Sequence, residues 1–248
     1  MNGGREAFGG INRGRIIFPD DSGLILDLQA GEAPEGGSDG NRVTDFRRDY
    51  SGIGNDFDVI EGPGPVWREE GLNGNPTLLF EGDSLLTMSK ELIGRYDSYT
   101  IISLARYSGE KRGRVISSSN NNWLFGFHQG SVGSWFTGKW LHKGQMDNNM
   151  DWRLQSAVAN LDGNNILISW DNGEIVHSGE IHVESSYRSI GKMSIGGWRG
   201  REEQASECEI ARVLLFNRAL EEQEVKHYEF MLKRMYSIMD YSPESYLD

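Results

Sequence analysis

The chain has 248 residues, with 32 glycines against 6 prolines, a single cysteine and a net charge of −12. That acidity argues against nucleic acid and anionic membrane surfaces as partners, since both need a basic face, and leaves cationic partners or metal ions open. No stretch approaches the roughly 18 apolar residues of a bilayer-spanning helix, so no membrane insertion is expected.

Residues 1–20 are rich in Gly and Arg. They read as an N-terminal arm of the kind that orders against a neighbour such as another protein subunit. Met1 to Glu6 lacks the apolar core of a signal peptide, so the expectation is cytosolic synthesis, a signal already removed, or another route such as virion release. A place at a cell surface, outside the cell or on a virion is expected over that of a cytosolic enzyme. Leu24–Leu28 is the first expected strand. Ala30 to Asn41 lacks apolar anchors and reads as a loop, and Thr44 to Gly74 as a long polar loop with short extended pieces.

From Thr77 onward strands are expected in quick succession: Thr77–Phe80, Tyr99–Arg106, Arg114–Ser118, Trp123–Gln129, Ser134–Leu141 and Trp152–Asn160. Asp162-Gly163 and Asn172-Gly173 sit between further strand patterns and supply the positive φ values of two-residue hairpin turns. Lys192–Gly196 is one more strand before the closing one, Cys208 to Phe216. That last strand is apolar at nearly every position after Ala211, which predicts cover on both faces. A helix follows, running to Tyr236. Val225, Tyr228, Leu232 and Met235 recur at helical spacing, while Glu222, Glu224, Lys226, Glu229 and Lys233 are expected to point away. Its acidic first turn and basic last turn suit the helix dipole. Many short strands with one helix and no α/β alternation predict an all-β sandwich over residues 21–238, with a tail at 239–248.

Three blocks resemble the laminin-G-like branch of the concanavalin A-like jelly rolls. Val43 to Asp56 contains Ser51-Gly52-Ile53-Gly54-Asn55; Gly74 to Asp83 contains Asn75-Pro76-Thr77-Leu78-Leu79-Phe80-Glu81-Gly82; the third joins Gly196-Gly197-Trp198, Glu209-Ile210-Ala211-Arg212, Asn217-Arg218-Ala219-Leu220 and the terminal helix. The resemblance covers about residues 24–236 and implies a two-sheet antiparallel jelly roll with a C-terminal α-helix. It also implies a concave face and, most often, non-catalytic binding of glycans or proteins. Phe46 departs from the family's tryptophan, and Arg212 stands where an acidic residue is usual.

Catalytic motifs are weak. Gly82-Asp83-Ser84-Leu85 spells an esterase nucleophile signature, but no histidine follows an aspartate by three positions, so Ser84 reads as a turn residue. The close carboxylate pair of jelly-roll glucanases does not occur; Asp56-Phe57-Asp58 is the nearest approach and reads as loop charge. Gly52-x-Gly54 lacks the third glycine of a dinucleotide fingerprint. Cys208 alternates with Ile210 and reads as a buried thiol. No cofactor is expected. Calcium stays possible through Asp83, Asp147, Asp151, Asp162 or Asp171, without a defined site.

The aromatic residues carry the strongest functional signal. Trp123, Phe125 and Phe127 share one strand face, and Trp135, Phe136, Trp140 and Trp152 follow among Asn, Gln and His. Flat rings beside amides are what a sugar's C–H faces and hydroxyls require. Trp123, His128, Trp135, Trp140, Asn121 and Trp198 are therefore the candidate ligand-binding residues, with Trp198 expected to be exposed among glycine and arginine. The expected function is a non-catalytic carbohydrate-binding module for a glycan or polysaccharide. The alternative is a structural or adhesion subunit of a surface, virion or phage assembly, and glycoside hydrolysis is a minor third.

Overall fold

The computed structural model describes residues 23–33, 37–44, 49–92, 98–162, 165–180, 189–199 and 201–238. The expected arm, the tail, Phe46 and the Asp162-Gly163 turn lie wholly or partly outside them. The strands run in chain order as β1 (Leu24–Gln29), β2 (Phe57–Glu61), β3 (Val66–Leu72), β4 (Asn75–Glu81), β5 (Leu85–Met88), β6 (Ser98–Arg112), β7 (Ile116–Ser118) and β8 (Trp123–His128). Then come β9 (Ser131–Thr137), β10 (Trp140–His142), β11 (Gln145–Met146), β12 (Arg153–Asn160), β13 (Ile166–Asp171), β14 (Glu174–Glu180), β15 (Met193–Ile195) and β16 (Ser206–Phe216). The helix α1 (Glu222–Met235) closes the order.

Two antiparallel sheets of eight strands stack as a sandwich. One is ordered β14-β13-β12-β6-β16-β4-β3, with β1 also on β16; the other is β10-β9-β8-β7-β15-β5-β2, with β11 on β9. Val213 and Leu215 of β16 face the core between the sheets, which also holds Ile101, Phe125 and Trp135. Ala211, Leu214 and Phe216 face the other way and meet Leu220, Val225, Tyr228 and Leu232 in a second core under α1. A strand apolar on both alternations is thus covered on both faces. We call the two sheets the covered sheet and the bare sheet, because the α-helix α1 packs on the outside of the first.

Glu221 and Glu224 form a capping box at the start of α1, and Arg218 holds Glu224 through two bonds of 2.9 and 2.7 Å. Glu229 corrects the sequence expectation. It is only 4% exposed and accepts the Ser156 hydroxyl at 2.6 Å, because the helix lies flat enough on the sheet to bury one polar position beside Val225 and Leu232. Under the last turn, Arg212 is fully buried and gives two 2.7 Å bonds to Asp27. The arginine that departs from the family pattern thus has a dedicated partner on β1.

Three differences in the strands have local causes. Ser134–Leu141 divides into β9 and β10 because Gly138, at φ +70°, turns the chain. The polar stretch before Gly74 contains β2 and β3, anchored by buried Phe57, Val66, Trp67 and Leu72 around exposed charges. Leu85–Met88 pairs between β2 and β15. Asn172 and Gly173, at φ 51° and 90°, make the expected hairpin turn.

Candidate functional site: the outer face of the bare sheet

Strands β5, β15, β7 and β8 bury Leu86, Met88, Met193, Ile195, Ile116, Phe125 and Phe127 inward. Alternation then sends the residues between them outward. In register these form one row across the sheet: Asp58, Thr87, Ser194, Ser117, Leu124, Phe136 and Trp140. Small polar groups occupy one end of the row and aromatic rings the other.

Trp140 is half-buried and packs edge-on to Phe136 at 5.1 Å between centroids, with the His128 ring 5.2 Å away.

Arg114 organises the second half of the face. It is 6% exposed, with Nε donating to Gln204 Oε1 at 3.0 Å and Nη2 to Asn122 Oδ1 at 3.0 Å. Its guanidinium carbon lies 3.9 Å from the centre of the Trp198 ring, and that of Arg201 lies 4.8 Å from the same ring. Stacking of this kind attracts the cation to the π face. Burial and the charge of Arg201 push the Arg114 pKa down to about 10. Its Nη1 has no hydrogen-bond partner in the protein. His128 links the halves: burial and then Arg114 lower its pKa, and a bond with Gln204 works against that fall. The ring is therefore neutral at neutral pH. The face presents two half-exposed indoles, a neutral imidazole and a buried cation with a spare donor, a set suited to stacking on a ring while bonding its polar substituents.

The sequence-predicted residues divide. His128 and Trp140 come together on this face, and Trp198 is linked to them through Arg114. Trp123 and Trp135 do not: they are 1% and 0% exposed, and both indole N–H groups donate to the Tyr99 hydroxyl, at 3.1 and 3.3 Å. One oxygen with two lone pairs satisfies both, so these rings belong to the core and are removed from the site. Asn121 donates to the Ser189 carbonyl at 2.9 Å and fastens a loop, while its neighbour Asn122 reaches Arg114. Arg114, Gln204 and Phe136 were missed. The available signal was an arginine at the head of the otherwise uncharged Arg114–Ser118 strand.

Next to Trp198 a cleft of about 490 Å³ is lined by Glu61, Asp83, Ser84, Lys111, Arg201 and Glu202, among others. Ser84 Oγ lies 3.1 Å from the Gly64 carbonyl and 2.9 Å from Asp83, and no histidine lines the cleft. Cys208 is fully buried, and burial followed by the Glu209 charge pushes its thiol far up. Among the described residues no three His, Cys, Asp or Glu side chains come together as metal ligands. Asp147 and Asp171 do approach a common cation, but it is Arg153.

No protein-family model matches the chain, and no curated protein matches it in sequence. Solved structures share its fold. The binding domain of Paraclostridial Mosquitocidal Protein 1 aligns at a TM-score of 0.59 with 14% identity over 85% of this chain. The binding domain of botulinum neurotoxin DC, solved with rat synaptotagmin II, aligns at 0.55 with 13% identity over 85%. The chain spans about half of each toxin domain, 52% in both cases. Domain 4 of AbnA, a GH43 extracellular arabinanase from Geobacillus stearothermophilus solved with arabinotriose, aligns at 0.59 with 11% identity over 84% of this chain and 98% of that domain. At these identities the likeness carries the sandwich fold alone, and each of these neighbours is named as a binding domain or a domain solved with a sugar.

Proposed function

We propose that the chain is a non-catalytic carbohydrate-binding module of the laminin-G-like kind, with the outer face of the bare sheet as its glycan platform. The observation that carries this reading is Arg114: a guanidinium 6% exposed, stacked on Trp198, with Nη1 unpartnered beside half-exposed aromatic rings. A buried donor left unbonded costs about 1–3 kcal/mol, and a ligand oxygen would remove that cost. Trp140 and Trp198 supply stacking surfaces, and Asn122, Gln204 and neutral His128 supply polar contacts. Nearly whole-domain likeness to the arabinanase domain solved with arabinotriose supports a sugar as the ligand class.

The test is affinity electrophoresis on arabinan and other polysaccharides together with a glycan array. Retardation that disappears in Trp140→Ala and in Trp198→Ala, with the unfolding midpoint retained, is the expected result. Absence of retardation on every glycan tried would overturn the reading. The second reading, a subunit that docks on proteins, draws on the toxin domain solved with synaptotagmin II. It predicts a defined protein complex whose formation survives Trp140→Ala.

A further inference from the structure

On the other side of the bare sheet from the platform, the space between the sheets is unexpectedly polar. Across the inner face of the covered sheet, Ser103 pairs with Gln155 and Gln155 with Asp171; two residues along, Ala157 pairs with Ser169 and Ser169 with His177. Ser103, Gln155 and Ser169 are 0%, 1% and 2% exposed. Ser103 Oγ, both ends of the Gln155 carboxamide, Ser169 Oγ, Asp171 Oδ1 and His177 Nε2 make no hydrogen bond of normal geometry within the protein. Buried polar groups left unbonded are costly, and here that cost is concentrated in one patch.

The bare sheet faces this patch with glycine. A Cβ on Gly126 would come within 2.7 Å of Gln155 Oε1, and one on Gly133 would meet His142 and Val176 at 3.8 and 3.9 Å. Both glycines have positive φ, +87° and +80°, at a bulge between β8 and β9. Asp171, at one end of the patch, also lines a cavity of about 420 Å³ at the sandwich edge, together with Val132, His142, Met146, Arg153 and Val176, among others. That size falls within the range of small-molecule sites, about 300–1,000 Å³.

We propose that this opening is a second binding site, taking one neutral polyhydroxylated ring, such as the terminal residue of a saccharide, between the sheets. Hydroxyls, a carboxamide and an imidazole nitrogen offer donors and acceptors together, as a sugar needs, while Val132, Val176 and Met146 meet its C–H faces. The two nearby carboxylates disfavour an anion, and Arg153 already occupies the place between them that a cation would take. Burial pushes the Asp171 carboxyl up against the pull of Arg153, with Gln155 near enough to add to that pull. Burial and His142 hold His177 neutral at neutral pH.

Monosaccharides tested singly by amide and side-chain NMR, namely arabinose, glucose, galactose and N-acetylglucosamine, decide it. Saturable shifts at the Gln155 carboxamide, Gly126, Gly133 and His177 are expected for at least one of them. Val176→Trp, which plugs the mouth from a half-buried position, should abolish the shifts while glycan retention on the platform persists; Ser169→Ala should weaken them. Trp140→Ala should leave them intact, so failure here is separable from failure of the platform. An unmoved Gln155 signal with every sugar, or shifts that survive Val176→Trp, would mean the patch holds water alone and would overturn the proposal.

Discussion

The two sheets bury the same kind of side chain inward and differ in what they put outward. On the covered sheet, the outward positions of β16 and β6 are Ala211, Leu214, Phe216, Ile102 and Leu104, and α1 seals them. On the bare sheet the corresponding positions of β5, β15 and β7 are Thr87, Ser194 and Ser117, with Thr87 and Ser194 bonded to each other at 2.9 Å. The Ser117 hydroxyl donates to the Gly197 carbonyl at 2.5 Å, and all three positions are at most 5% exposed, so short hydroxyls rather than apolar side chains fill this stretch. The contrast separates stability from recognition: one outer face is held by packing, and the other keeps half-exposed rings and an unbonded donor.

The sharpest way to break the covered side is to strip Arg212 of its partner. Asp27→Ala leaves a buried guanidinium uncompensated and should cost about 3–5 kcal/mol in urea unfolding. Asp27→Leu combined with Arg212→Met should recover most of that loss. If Asp27→Ala unfolds like the unaltered chain, the covered face is not held as described.

Next in size is a matched pair of truncations. Leu232→Ala, at a fully buried position under α1, should lose about 2–5 kcal/mol. Trp140→Ala, half-buried on the bare sheet, should cost about 1 kcal/mol or less while removing glycan retardation. Equal losses from the two substitutions would erase the distinction between a sealed face and a working one.

Much of this division was legible in the chain. The run Ala211 to Phe216 is apolar on both alternations, and that announces double cover; Met193-Ser194-Ile195 is apolar on one alternation only, and its other side carries a hydroxyl that Thr87 satisfies. Alternation also put Trp123, Phe125 and Phe127 on one side and His128 on the other. What it could not say was which side faces inward, because that depends on Tyr99, whose hydroxyl receives the Trp123 and Trp135 indoles from a strand 24 and 36 residues away. Arg114 was hidden for a similar reason. Its partners Gln204, Asn122 and Trp198 come from separate loops, and only the folded sheet brings them to one guanidinium.

A smaller effect concerns the buried carboxyl of α1. Burial raises the Glu229 pKa above its ordinary 4.5, with the Ser156 hydroxyl working against that rise. A carboxyl raised on folding favours the native state below its unfolded pKa and loses that contribution as pH climbs through the folded value. Glu229→Gln keeps an acceptor for Ser156 and removes the buried charge. It should raise stability at neutral pH by under about 2 kcal/mol, with the difference from the unaltered chain vanishing in acid.

The bare sheet should answer acid in the opposite sense, through His128 and by less. Burial and Arg114 lower its pKa from 6.5, so below that value the unfolded chain binds a proton that the folded chain resists. Its contribution to stability is therefore present above pH 6.5 and fades as pH falls through the lowered folded value. Protonation would also set an imidazolium against the buried Arg114 cation and beside Trp140, so glycan retention should weaken over the same window. His128→Asn removes the titrating group, and the prediction is a flatter pH profile for both unfolding and binding. The two profiles must flatten together, because the same ring lies against Trp140 and within the field of Arg114. A binding profile that stays steep in His128→Asn would place the proton elsewhere and detach His128 from the platform.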